Sequence, residues 1–313
     1  MDQLSPASGC CPPGSTGQPL SVEIAVRERY SAASQSVEPA LCCPVQYDQK
    51  YLAVLPAELI ERDYGCGDPS RYVSPGEIVL DLGSGGGKIC YIAAQIVGPT
   101  GRVIGVDMND DMLALARKYQ REIGQRIGWQ NVEFQRARIQ DLALNLDRLD
   151  LLLAQRPVRS AADWVNIQGE IRQLRRQEPM IADDSVDVVL SNCVLNLVDE
   201  EDRQQLFREI FRVLKPGGRA VISDIVSNQP VPASLKADPL LWSGCISGAF
   251  EEQDFPQQFL RQGFEQVEVV SRQSEPWTVV GNIEFRSLTV QAFKPAPDRL
   301  TLPQVPLQRS SCC

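Results

Sequence analysis

Between residues 78 and 226 the chain alternates short apolar runs with longer stretches of helical spacing. Ile78-Val-Leu-Asp-Leu82, Val103-Ile-Gly-Val-Asp107, Val132-Glu-Phe-Gln-Arg136, Val186-Asp-Val-Val-Leu-Ser-Asn192 and Ala220-Val-Ile-Ser-Asp224 have the length and β-branched content of strands. Ile89 to Val97, Asp110 to Ile127 and Glu200 to Leu214 repeat apolar residues at the helical period. Asn109 or Asp110 can cap the second of these helices, and Lys215-Pro-Gly-Gly218 should stop the third. The strands are apolar without strict alternation, as in a parallel sheet covered on both faces. With two further strands expected over Val267–Ser271 and Leu288–Phe293, the fold class is α/β: a doubly wound, mostly parallel sheet of seven strands.

The flanks read differently. Residues 1–20 are rich in Pro, Gly and Ser and are expected to be disordered; residues 295–313 form a Pro-rich flexible tail ending in cysteine. Residues 21–74 form a helical, thiol-bearing segment, with helices expected over 22–35 and 47–62. Residues 75–226 form the core, and 227–294 a C-terminal substrate-binding part. Residues 143–180 are too long for an ordinary connection between two strands and read as a helical insertion, most clearly over Trp164–Gln177.

Composition narrows the function. The net charge is −9, which argues against a nucleic-acid partner, where a basic footprint should dominate. No apolar run has the length of a membrane span, and Met1-Asp-Gln-Leu-Ser-Pro6 lacks the charged and apolar regions of a signal peptide, so the protein is expected to be cytoplasmic and away from membranes. Histidine is absent, so the usual general base and the Ser-His and Cys-His nucleophile pairs are unavailable. Of the 10 cysteines, six form the vicinal pairs Cys10-Cys11, Cys42-Cys43 and Cys312-Cys313. In a reducing compartment such a set points to metalloid binding or redox work, not to a disulfide framework.

Asp81-Leu-Gly83-Ser-Gly85-Gly-Gly87 joins the first strand to a helix, and such glycines let a ligand approach the backbone closely. Its spacing is not that of a dinucleotide-binding turn. Asp81 within the turn suits a cationic amino group, and Asp107 ending the next strand suits ribose hydroxyls. With Arg138-Ile-Gln-Asp-Leu142 and Leu214-Lys-Pro-Gly-Gly218 in the same order, residues 75–226 resemble the class I S-adenosylmethionine-dependent methyltransferases. The resemblance implies a Rossmann-like fold, S-adenosylmethionine as cofactor, and a binding set of Asp81, Gly83, Ser84, Gly85, Asp107, Met108, Ile139, Gln140 and Asn192.

Four lone cysteines surround this turn: Cys66, Cys90, Cys193 and Cys245. Cys193 directly follows the fourth strand, where open α/β sheets bind ligands. Cys90 lies in the first turn of a helix, whose N-terminus lowers a thiol pKa. Cys66 and Cys245 sit in glycine-flanked loops suited to bring a thiol over the pocket without burying it. Each could also be a small packing residue. A structural zinc site would want close Cys-x-x-Cys pairs, and there are none.

The runs Asp63-Tyr-Gly-Cys66-Gly67, Gly87-Lys-Ile-Cys90-Tyr91, Ser191-Asn-Cys193-Val-Leu-Asn-Leu197 and Gly244-Cys245-Ile-Ser-Gly-Ala249 resemble the arsenite methyltransferases, over residues 60–294. That resemblance implies methyl transfer to thiol-bound trivalent arsenic. It makes Cys193 and Cys245 the primary arsenic ligands and Cys66 a third, with Cys66 and Cys90 serving as further thiol partners or a redox relay. It also implies arsenite and its thiol conjugates as substrates and a thiol reductant such as thioredoxin or glutathione as partner. Two rivals stand beside it. One is a C- or O-methyltransferase of a small metabolite, for which Asp187, Asp199 and Asp224 would be strand-edge candidates for the base. The other is a non-catalytic protein that sequesters a metalloid.

Overall fold

A computed structural model describes residues 22–41 and 45–296. The expected disordered N-terminus and nearly all of the tail, with the pairs Cys10-Cys11, Cys42-Cys43 and Cys312-Cys313, lie outside the described residues.

The first strands are β1 (Ile78–Leu82), β2 (Arg102–Asp107), β3 (Val132–Arg136), β4 (Val186–Asn192) and β5 (Leu214–Ser227). They are followed by β6 (Phe250–Glu251), β7 (Glu265–Arg272), β8 (Thr278–Val280) and β9 (Ile283–Phe293). They form one sheet in the order β3-β2-β1-β4-β5-β9-β7, with short β6 on β5 and β8 on β9. β1 to β5 pair in parallel, while β9 runs antiparallel between β5 and β7. The two short strands raise the expected seven to nine.

The helices up to the insertion are α1 (Val22–Gln35), α2 (Gln49–Leu52), α3 (Ala57–Glu61), α4 (Lys88–Val97), α5 (Asp110–Ile127), α6 (Leu146–Gln155) and α7 (Ala161–Gln177). Beyond it come α8 (Arg203–Val213), α9 (Ala233–Lys236), α10 (Pro239–Ser243) and α11 (Asp254–Gln262). α5 occupies the expected range: the Asn109 side chain accepts from the N–H groups of Asp111 and Met112, and Gly128 ends the helix with φ 92°. The single helix expected over 47–62 is split into α2 and α3, because Pro56 has an extended backbone and starts α3. β5 begins earlier than Ala220. Leu214 already pairs with Val186, and Pro216-Gly-Gly218 forms a bulge between that pair and Val188–Arg219, with Gly217 at φ 80°.

The sheet's two faces are filled separately. One apolar cluster joins β4, β5 and β9 to α8 and α11 through Phe207, Phe255 and Phe259. The other packs α4 and α5 on β1 and β2 and includes Cys90. The 143–180 insertion is a pair of helices, α6 and α7, packed through Leu149, Leu152, Leu153, Ile167 and Ile171. Among the described residues, no helix is long and apolar enough to cross a membrane.

Candidate active site

The site lies past the carboxyl ends of β1, β2, β4 and β5, where the chain leaves each strand for a turn. In the glycine turn, Gly83, Gly85 and Gly87 all have positive φ, and a Cβ on Gly85 would meet only open space. Gly85 N–H donates to the Asp107 carboxylate at 2.9 Å, and Asn109 N–H to its other oxygen at 2.8 Å. Burial raises Asp107 above the ordinary carboxylate range. A cavity of about 100 Å³ opens here, walled by Gly83, Gly85, Asp107, Met108, Ile139 and Gln140.

Those are six of the nine residues expected to hold the cofactor. The remaining three, Asp81, Ser84 and Asn192, are not on the wall. Ser84 Oγ is buried and has no hydrogen-bond partner. An open glycine cradle, an acid bonded to that cradle and an orphaned hydroxyl beside it together fit an S-adenosyl ligand. Asp81 lies beneath the turn, and burial pushes its carboxyl up to about 7. Asn192 has its amide engaged elsewhere, in the loop that carries Cys66.

One wall was not foreseen. α1 lays Glu23, Val26, Arg27 and Tyr30 against the cavity. Its Glu23 carboxylate accepts from Arg138 and, at 3.2 Å, from Gln140. Asn109 Nδ2 donates to the Arg27 carbonyl at 3.0 Å, and Arg29 reaches the Leu240 carbonyl in α10 at 2.8 Å. α1 thus spans from the cofactor turn to the segment bearing Cys245. The helical pattern of 22–35 was legible in sequence; its role as a cover over the cavity was not, because a cover is a tertiary contact with no local signature.

Three of the four thiols share a buried cluster. Cys66, Cys193 and Cys245 belong to one buried apolar cluster, against which Tyr30 packs. The Cys193 and Cys245 sulfurs and an Asp224 oxygen lie within 4.8 Å of one another. Cys193 N–H donates to the Ser223 carbonyl at 2.8 Å, and the Cys245 thiol donates to the Cys193 carbonyl at 3.3 Å. Asn196 Nδ2 donates to the carbonyls of Ile225 and Cys245 at 2.6 and 3.2 Å, binding the two cysteine segments together. Cys193 and Cys245 each have φ 63°, two of only four non-glycine residues with positive φ among the described residues. Backbone held in that region costs roughly 1–3 kcal/mol per residue and clusters at functional sites.

Three expectations are corrected. The glycine-flanked loops bury their thiols: Cys66 is 6% and Cys245 4% exposed, because the first loop packs on the ends of β4 and β5 and the second belongs to the apolar cluster of Ile225, Ile246 and Phe285. Cys90 is not with the other three: it lies in the core under the glycine turn, 0% exposed, and its thiol donates to Asp81 at 3.1 Å. Its pKa is raised, not lowered, because burial and then the Asp81 carboxylate outweigh the helix N-terminus. Asp224 is more than a strand-edge acid, since it is fully buried beside two thiols and burial pushes it up to about 7. Its signal in the sequence was position: it lies at the end of the apolar run of the strand next to β4.

The cofactor cavity and the thiol cluster are neighbours. Val194, the residue after Cys193, lines the cofactor cavity, and a Cβ on Gly83 would sit 2.4 Å from it. Tyr30 lines the same cavity, and burial followed by the charges of Cys245 and Cys193 raises its hydroxyl pKa.

Strand order, a glycine cradle and an acid on the neighbouring strand define the class I methyltransferase fold. A family model described as a methyltransferase domain matches residues 73–180 and 165–263. An arsenite methyltransferase of Halobacterium salinarum is 38% identical over 75% of this chain and 51% of that protein. One of Aquipseudomonas alcaligenes is 32% identical over 83% of this chain and 68% of that protein. The crystal structure of an arsenic(III) S-adenosylmethionine methyltransferase from Chlamydomonas reinhardtii superposes with a TM-score of 0.62 at 29% identity, covering 83% of this chain and 75% of that one. The chain belongs to the arsenite methyltransferase family. It spans about half the length of the Halobacterium relative.

Proposed function

We propose that the protein transfers methyl groups from S-adenosylmethionine to trivalent arsenic held by Cys193 and Cys245. The observation that carries this is the pair of thiols, held in left-handed backbone within 4.8 Å of each other and of Asp224, one residue away from the wall of the cofactor cavity. The cofactor supplies an electrophilic methyl group. Gly83 and Gly85 would offer their backbone to it, Asp107 would take ribose hydroxyls, and Ile139 and Gln140 would flank the base, while Asp81, beneath the turn and bonded to Cys90, would support the cradle from below.

When arsenite exchanges two oxygens for the sulfurs of Cys193 and Cys245, each thiol proton leaves with an arsenic-bound hydroxyl as water, and Asp224 sits where those protons pass. Cys66, in the same apolar cluster but outside the 4.8 Å group of Cys193, Cys245 and Asp224, would move in to supply a third sulfur. Arsenic then attacks with its own lone pair, so no proton has to be abstracted at that step, and placement supplies the catalysis. This chemistry suits a chain without histidine. Transfer leaves arsenic formally pentavalent. Two cysteine thiolates can return it to the trivalent state by giving up two electrons as a disulfide, which a thiol reductant such as thioredoxin or glutathione in the cytoplasm reduces again.

The test is incubation of the reduced protein with arsenite, a thiol reductant and methyl-labelled S-adenosylmethionine, followed by arsenic speciation. Labelled methylarsenicals are expected. Arsenite binding without transfer would make the protein a sequestering one, and transfer that ignores thiol blockers would point to a small-metabolite methyltransferase.

A further inference from the structure

Asn192 ends β4 and is peptide-bonded to Cys193, and the sequence places it among the cofactor contacts. The structure commits both heavy atoms of its amide to a loop more than a hundred residues away in the chain. Asn192 Oδ1 accepts from Cys66 N–H at 2.9 Å and from Gly67 N–H at 3.0 Å. Asn192 Nδ2 donates to the Gly67 carbonyl at 2.8 Å and to the Tyr47 hydroxyl at 3.3 Å. The Tyr47 hydroxyl in turn donates to the same Gly67 carbonyl at 3.1 Å.

The two glycines that flank Cys66 make this approach possible. A Cβ on Gly65 would lie 2.0 Å from Asn192 Nδ2, and one on Gly67 would lie 2.6 Å from Ser223 Oγ. The loop is therefore pressed flat against the ends of β4 and β5, and Asn192 caps the backbone polar groups on both sides of Cys66. The neighbouring Cys193 is anchored separately, through its N–H to Ser223. One side chain thus fixes the backbone of the loop that carries Cys66 against the strand that leads to Cys193.

We infer that Asn192 is a positioning residue that holds Cys66 as the third thiol beside Cys193 and Cys245, and not a cofactor contact. The inference rests on the arsenic reading above and deepens it: it separates trivalent arsenic with three exchangeable positions, which all three thiols can hold, from an arsenical already carrying one carbon, which needs two.

The probes are arsenite, with three exchangeable oxygens, and phenylarsine oxide, which offers two positions to thiols. Binding of both, and of S-adenosylhomocysteine, is measured by calorimetry on the full reduced chain for wild type, Asn192→Ala, Asn192→Asp, Cys66→Ser and the Asn192→Ala/Cys66→Ser double variant. Loss of a group that orients a ligand residue typically weakens binding by about 10–100-fold, and arsenite binding by Asn192→Ala should fall at the lower end of that range, close to Cys66→Ser. The double variant should be no worse than either single one, the signature of two residues acting as a unit. Phenylarsine oxide and S-adenosylhomocysteine should bind Asn192→Ala within about twofold of wild type, far short of the loss an orienting group produces. Asn192→Asp keeps both acceptor bonds but sets a carboxylate oxygen against the Gly67 carbonyl, so it should weaken arsenite binding at least as much as Asn192→Ala, and the circular dichroism spectrum of each variant guards against a folding defect. A large loss of S-adenosylhomocysteine binding would overturn the inference in favour of a cofactor contact. So would equal losses for the two arsenicals, or arsenite binding lowered in Cys66→Ser but untouched in Asn192→Ala. If wild type binds neither arsenical, the arsenic reading itself falls; if wild type binds both and only the variant pattern is wrong, Asn192 alone is misassigned.

Discussion

Cys90 and Cys193 follow neighbouring parallel strands, β1 and β4, yet they sit in opposite kinds of environment. Cys90 lies on a regular helix among Leu113, Ile92 and Val103, and its thiol is bonded to a buried carboxyl. Cys193 sits in left-handed backbone, matched by Cys245 at the same φ, with a carboxyl within 4.8 Å of both sulfurs. A small apolar residue is enough to explain the first arrangement. The second holds two residues in left-handed backbone next to a buried carboxyl, the kind of strain that clusters at functional sites.

The comparison can be broken by activity. Cys193→Ser and Cys245→Ser should each lower arsenite methylation by more than about a hundredfold, since misplacing a reacting atom by even an ångström costs that much. Activity near wild type in either variant, in the speciation assay, would make the strained pair a packing feature. Cys66→Ser should slow the first methylation by about tenfold and leave a monomethylated arsenical nearly unaffected, because the latter has one valence fewer for thiols. Single-turnover rates on the two substrates decide this. If Cys90→Ser showed the same first-step selectivity, Cys90 would belong with the other three in function despite its place in the core.

Stability sharpens it further. Asp81, bonded to Cys90, and Asp224, beside Cys193 and Cys245, are both pushed up to about 7 by burial from an ordinary value of 3.8. The folded chain therefore keeps two protons that the unfolded chain has released. The stability they contribute is full below the ordinary carboxylate range, is lost as pH rises, and levels off above about 7. The slope is at most about 1.4 kcal/mol per pH unit for each group. Melting temperatures taken without ligand between pH 5 and pH 8 should fall, and Asp224→Asn should flatten the fall. A profile identical to wild type would mean that Asp224 titrates normally. The smallest effect is that of Cys90→Ala, which should cost about 1 kcal/mol, the common size for a modest core truncation, and leave methylation within a few-fold of wild type.

Much of the core was legible because its signals are local. α5 has its Asn109 cap, its apolar period and its closing Gly128 all within one stretch of chain. The glycine turn likewise carries its own geometry, and Gly83, Gly85, Asp107, Met108, Ile139 and Gln140 do wall a single cavity. Other features depend on what lies across the fold. The burial of Cys66 depends on Asn192 and Ser223, and that of Cys90 on the depth of α4 against β1 and β2. The covering role of α1 depends on Arg138 and α10. α6 is a different case. It lies inside the segment expected to be a helical insertion, and its Asn145 cap and the spacing of Leu146, Leu149, Leu152 and Leu153 carry a weaker local signal than Trp164–Gln177 in α7.

The placement of α1 bears on processivity. The cavity it helps wall holds about 100 Å³, well below the roughly 300 Å³ at which small-molecule pockets begin, so on the proposed reading a displacement of this helix would admit the cofactor and release its spent form. The same helix lays Tyr30 on the thiol cluster and Arg29 on α10, so the same displacement would also uncover the thiols. Under the proposed arsenic chemistry, each exchange of cofactor would then be an opportunity for a partly methylated product to escape. How many methyl groups one arsenic atom acquires in a single visit would be decided by a race between the closing of α1 and the release of thiol-bound arsenic, more than by the methyl-transfer step itself.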